Sequence, residues 1–148
     1  MVSTIASLTS RGPRHALVVQ GTVDANTFEA YLRHLVADIM ARDNAKCLVV
    51  MLDNASIHTT QSIKDFMSES GHRLLFNAPY SPALNPIEML FGIWKHRARN
   101  GIEPCADNVE FLHRLQAIFM ETTPEEAQRI VRHPQRETWP KVQRQEDI

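Results

Sequence analysis

Residues Cys47 to Leu52 read CLVVML, six consecutive apolar side chains with no polar alternation. A strand with one wet face alternates polar and apolar residues, so an unbroken apolar run calls for cover on both faces. A chain that must bury such a strand folds with helices packed on a sheet, as an α/β domain. The run stops at Asp53-Asn54. The carboxyl ends of strands in open α/β sheets are where ligands and catalytic groups gather. Taken alone, Asp53 is more simply read as a turn-capping residue, a common use of Asp-Asn pairs.

The rest of the chain fits that frame. Thr4–Ser10 and Arg14–Gln20 read as two strands joined at Arg11-Gly12-Pro13, a hairpin. Asp24 or Asn26 caps a helix with Glu29 in its first turn, and Phe28, Leu32, Leu35, Val36 and Ile39 recur at helical spacing. The helix ends near Ala41 to Asp43. A second helix is expected over Thr60–Ser70, stopped by Gly71, followed by a short strand at His72–Phe76. The proline-rich stretch NAPYSPALNP leads into a helix over Ile87 to about Asn100, with Pro86 suited to its first turn. Its face carries Ile87, Leu90, Phe91 and Trp94, the last two expected in the core. Asp107–Glu121 and Pro124–Arg132 read as two further helices. The polar tail from His133 is expected to be loose, with Trp139 a residue that could dock.

Net charge is −1, which leaves nucleic-acid binding open because a local basic patch suffices. No apolar run approaches the roughly 18 residues of a membrane span. The start, MVSTIASLTSRGPR, has no charged-then-apolar secretory pattern. Cys47 is expected as a small buried hydrophobe and Cys105 in a loop, without a disulfide. No Cys/His spacing suggests zinc.

Glu88 falls in the first turn of the helix entered through Asn85-Pro86. By itself an acid there is explained by the helix dipole. Paired with Asp53 it says more. Two-metal phosphoryl transfer needs carboxylates converging from separate elements, holding two ions about 3.5–4 Å apart. Carboxylate oxygens suit hard ions such as Mg²⁺.

Two strings carry a family resemblance. LDNASIH at Leu52–His58 and APYSPALNPIEMLFGIWKHRAR at Ala78–Arg99 resemble the second and third catalytic motifs of mariner-superfamily DDE transposases. Positions 54–87 put 34 residues between Asp53 and Glu88, a spacing that matches one branch of the superfamily. GTVDANTFEAYL at Gly21–Leu32 and, more weakly, TTPEEAQRIVRH near the carboxyl end extend the likeness.

The resemblance implies an RNase H-like mixed sheet with flanking helices. It divides the chain into a partial catalytic domain over residues 1–100 and a helical carboxy-terminal extension with tail over 101–148. It implies metal-dependent cleavage and transfer of DNA strands in transposition. Asp53 and Glu88 would be catalytic and metal-binding, with Mg²⁺ or Mn²⁺ in a two-metal arrangement. Asn54 would orient Asp53 or a water, and Ser81, Pro82, Asn85 and Pro86 would shape the loop delivering Glu88. His58 matches the motif's histidine, with no role derivable from sequence; local packing is its plain alternative. Lys95, Arg97 and Arg99 are candidate phosphate contacts, and cations near a helix end are also favoured without DNA. The implied partners are transposon ends and target DNA, with a second copy of the chain a further candidate; no membrane or small-molecule substrate is implied. The expected place is the nucleus in a eukaryotic host and the cytoplasm otherwise.

The family's first carboxylate lies on the first, central strand of the sheet, upstream of Thr4 by this resemblance. Asp24 reads as a helix cap, and Asp38 and Asp43 belong to or follow the same helix. The sheet is thus expected to lack its central strand and the chain to be inactive by itself. The alternative is a non-catalytic transposase-derived remnant that binds DNA or dimerises.

Overall fold

A computed structural model describes residues 1–79, 81–101 and 104–138. Trp139 and the tail after it lie outside these residues. The chain forms two compact units, one made of Met1–Thr22 with Ala83–Ile148 and the other of Val23–Pro82.

In the first unit, β1 (Val2–Thr9) and β2 (Gly12–Gln20) pair antiparallel, with Val2 opposite Gln20 and Thr9 opposite Gly12. The turn is tighter than the sequence suggests, because Gly12, at φ 126°, already belongs to the strand. Few residues with a side chain tolerate that φ. The register slips between Ala6 and Leu8. Ser7 sits in the slip, and its hydroxyl accepts the His15 N–H at 3.1 Å. Helices α3 (Pro86–Gly101), α4 (Asn108–Met120) and α5 (Pro124–His133) complete the unit.

Its core joins Ala16 and Val18 of β2, Leu90 and Trp94 of α3, Leu115 and Phe119 of α4, and Ile130 of α5. Phe91 is half-buried at the edge of this cluster. The buried Trp94 indole donates to the Leu115 carbonyl at 2.7 Å, so burying its polar atom leaves nothing unpaired. Helices α4 and α5 thus share a core with α3 and the amino-terminal hairpin. Beyond α5, Pro134–Thr138 forms a π-helical turn with Pro134 buried, where the sequence suggested a loose tail.

Thr123 and Glu126 form a reciprocal capping box at the start of α5, with Pro124 in its first turn. Glu126 also pairs with Arg97 of α3 at 2.6 Å. The Thr123 backbone N–H, and then Arg97, hold the Glu126 carboxyl below the usual carboxylate range. A depressed folded-state pKa contributes stability above the unfolded value, and that contribution is lost as pH falls through the folded one. Glutamine keeps the cap, because its amide oxygen also accepts the Thr123 N–H, but loses the charge, so Glu126→Gln should lower stability at neutral pH by about 0.2–1 kcal/mol, the scale of one partly exposed ion pair. The deficit should shrink in acid, as urea titrations at pH 7 and below pH 4 would read.

In the second unit, α1 (Ala25–Asp43) is capped by Asp24, whose carboxylate accepts the Thr27 N–H at 2.7 Å. Hydrogen bonding from the Thr27 side chain, and then from its backbone N–H, holds the Asp24 carboxyl below its ordinary value. Glu29 lies beyond the first turn, where it pairs with Arg33. Phe28, Leu32, Leu35 and Val36 are buried as the helical spacing predicts. Then β3 (Val49–Leu52), α2 (Gln61–Glu69, capped by Thr60) and β4 (Arg73–Phe76) make a strand–helix–strand crossover. The strands are parallel, as such a crossover allows, with Val49 opposite Arg73 and Leu52 opposite Phe76.

The strand pairing fits the expected mixed sheet without a central strand, whereas the cover on β3 differs from expectation. Among the described residues the strands form two separate two-stranded sheets, β1-β2 and β3-β4, and β3 has one neighbour. Val49 is 61% exposed and Leu75 52%, so the apolar run is not covered on both faces. The strand begins at Val49, and Cys47 is exposed rather than buried, because the chain leaves α1 through Asn44 in a left-handed conformation and reaches β3 through a loop.

Candidate active site

Asp53 follows the last residue of β3 and is exposed, its side chain 50% accessible. A carboxylate at a strand end has several staggered positions open to it, yet this one is held. Its Oδ1 accepts the Ala55 backbone N–H at 3.1 Å and a hydrogen bond from His58 Nδ1 at 2.6 Å. A carboxylate only accepts, so His58 carries its hydrogen on Nδ1. His58 closes the 3-10 turn Ser56–His58, fixed by its N–H to the Ala55 carbonyl at 2.9 Å. Its ring lies against Phe28 of α1, centroids 4.1 Å apart and planes tilted by 40°. Local packing, the plain reading of this histidine, and contact with Asp53 therefore both hold.

Asn54 does not bond Asp53. Its side-chain amide donates to the Asn77 carbonyl at 2.6 Å, linking the end of β3 to the residue after β4. Asn77 is buried, and its own amide donates to the Ser81 carbonyl at 2.6 Å. The Ser81 hydroxyl donates to the Pro79 carbonyl at 3.2 Å. Three polar residues thus tie both strand ends to the loop. Asn77 and Phe28 were not singled out for the site by sequence, since one reads as a loop residue and the other as core.

Pro82 opens a 3-10 turn, Pro82–Leu84. Buried Asn85 then starts α3, its carbonyl accepting the Glu88 N–H at 3.1 Å and its side-chain oxygen the Ile87 N–H at 3.4 Å. Pro86 needs no partner for a missing N–H at that position. Glu88 lies exposed in the first turn, where the helix dipole favours its charge. Asp53, Asn54, His58, Ser81 and Pro82 belong to the second unit, and Asn85, Pro86 and Glu88 to the first. Farther along α3, Arg97 is half-buried against Glu126, whereas Lys95 and Arg99 are exposed.

The family of DDE superfamily endonucleases matches residues 1–110, about three quarters of the chain. This chain belongs to that family. The fold of this DDE endonuclease is the RNase H-like α/β fold of the Mos1 mariner transposase catalytic domain. A structure of that domain with raltegravir and Mg aligns at a TM-score of 0.81 and 19% identity, covering 98% of this chain and 75% of that one. The Mos1 paired-end complex with the left transposon end aligns at 0.78 and 21%, covering 93% and 41%. The Mos1 paired-end complex with Mn aligns at 0.78 and 22%, with the same coverage. The chain thus spans about two fifths of the transposase chains in those complexes. No curated protein matches it.

Proposed function

We propose that this DDE endonuclease carries two of the three carboxylates for metal-dependent DNA strand cleavage and transfer, Asp53 and Glu88. The observation that carries the reading is the state of Asp53. Every hydrogen bond it makes among the described residues ends on Oδ1, which leaves Oδ2 at an exposed strand end for another ligand. Exposed carboxylates with few protein bonds suit Mg²⁺ or Mn²⁺, which keep several waters and take few protein ligands. The ions in the Mos1 structures support the same donor chemistry here. Two such ions, when bound, would activate the attacking oxygen and stabilise the leaving oxygen of a phosphodiester.

The chain's own groups do the positioning. The Ala55 N–H and His58 hold Asp53, and Asn54 and Asn77 hold the strand ends to the loop. Asn85 sets the first turn that carries Glu88. Lys95 and Arg99 would meet DNA phosphates, with Arg97 left to its pairing with Glu126. Transposon-end DNA is the substrate this reading favours, a second copy of the chain a further partner, and the nucleus of a eukaryotic host (otherwise the cytoplasm) the place of work.

On this reading the third carboxylate comes from a further strand beside β3. No group of three or more His, Cys, Asp or Glu residues placed to hold a metal occurs among the described residues. Asp24 caps α1 and Asp38 pairs with Arg42. The open edge of β3 is where such a strand would pair. With two carboxylates the chain alone should leave supercoiled plasmid intact in Mg²⁺. Nicking that disappears on Asp53→Ala would overturn this count of ligands. Genomic sequence upstream of Met1 is a second check: an in-frame apolar strand ending in Asp supports the assignment, and a stop codon or unrelated sequence contradicts it.

A further inference from the structure

We infer that His58 is the positioning residue for Asp53, dedicating Oδ1 to the protein so that Oδ2 is the oxygen offered to the divalent ion; the inference rests on the two-carboxylate reading above. An exposed aspartate samples several rotamers, and fixing one on metal binding carries an entropic penalty. In this chain the fixing is done before any ion arrives. The Ala55 N–H bond alone is of ordinary length at 3.1 Å, whereas His58 Nδ1 approaches the same oxygen at 2.6 Å, as expected for a hydrogen bond to a charged acceptor. The ring cannot swing away cheaply. It is seated on buried Phe28, and its backbone is closed into the 3-10 turn by the Ala55 carbonyl. The path runs from the α1 core, through an aromatic contact, to a carboxylate oxygen. Such outer partners set the orientation of a ligand, and losing one commonly weakens metal binding 10–100-fold.

The arrangement also gives the spacing in LDNASIH a physical reason. A separation of five positions from Asp53 to His58 is enough for one 3-10 turn to bring the imidazole back to the strand end. A shorter connection would not close that turn.

The test is Mn²⁺ binding to the 148-residue chain, read from the electron paramagnetic resonance signal of free Mn²⁺, with thermal unfolding measured on every variant. Four proteins are compared: the unsubstituted chain, Asp53→Ala, His58→Ala and His58→Asn. Asparagine places an amide donor near the position of Nδ1 but lacks the ring. Both His58 variants lose the packing on Phe28 and should melt at similarly lowered temperatures. Only His58→Ala loses the donor, so its Mn²⁺ affinity should fall about 10–100-fold while His58→Asn stays within a few-fold of the unsubstituted chain. Equal affinity in His58→Ala and the unsubstituted chain, or equal loss in both His58 variants, overturns the positioning role. In either case loss of binding in Asp53→Ala leaves the carboxylate reading standing. If Asp53→Ala binds Mn²⁺ as well as the unsubstituted chain does, the carboxylate reading fails and the positioning role fails with it.

Discussion

Phe119→Ala is expected to destabilise the first unit by about 3–5 kcal/mol, the range for removing a buried aromatic side chain. Phe119 is fully buried. Its ring meets Trp94 edge-on at 6.2 Å and Phe91 tilted at the same distance, so one side chain of α4 joins two of α3. Trp94 is in turn fixed by its bond to the Leu115 carbonyl and cannot move far to fill a void. The surrounding β2 and α5 residues, Val18 and Ile130, are already packed. A cavity there would persist, and persistence is what makes such substitutions costly. Val109→Ala on the exposed face of the same helix is the control, with an expected change within about 0.5 kcal/mol. Urea unfolding of both variants checks the contrast; comparable losses would mean that the α3–α4 seam is not where the unit's stability resides.

The second large effect concerns Asp53. If Asp53 is a metal ligand as proposed, Asp53→Ala removes the ligand rather than its support, so divalent-ion affinity should fall by more than the roughly 10–100-fold attached to an outer partner. Glu88→Gln should match it, since a neutral amide cannot supply the charge that draws a hard cation. Neither substitution should disturb folding much. Both side chains are exposed, and removing Asp53 frees only the local contacts of Ala55 and His58. Loss of binding without loss of stability is the pattern expected of a site residue.

What could be read from the sequence follows the range of the forces involved. The caps at Asp24, Thr60, Asp107 and Thr123 bond backbone groups three residues away, and the helix starts are where the sequence puts them. The apolar stripe of α1 is equally local. The cover on β3 is not. The run Cys47–Leu52 records that both faces should be apolar but does not say which segment supplies a neighbour, and the described residues place only β4 beside it. The same limit applies to Arg97. It reads as a cation in a basic run, while the glutamate that holds it lies 29 residues on. Asp53 and Glu88 stand out through a family string, whereas the contact of His58 with Asp53 needed coordinates, because a hydrogen bond to one oxygen of Asp53 leaves no trace in composition or periodicity. Grouping of the amino-terminal hairpin with α3, α4 and α5 is likewise a property of long-range packing that no local pattern announces.

Iron-directed backbone cleavage tests whether Asp53 and Glu88 bind divalent metal. Fe²⁺ replaces Mg²⁺ at a carboxylate site, and with ascorbate and peroxide it cuts the polypeptide within a few ångströms of where it is bound. Cuts are expected around Leu52–Ala55 and around Asn85–Met89, both suppressed by excess Mg²⁺, the first lost in Asp53→Ala and the second in Glu88→Gln. Cutting around Leu52–Ala55 that survives Asp53→Ala, or around Asn85–Met89 that survives Glu88→Gln, would contradict the proposal that these two carboxylates bind metal.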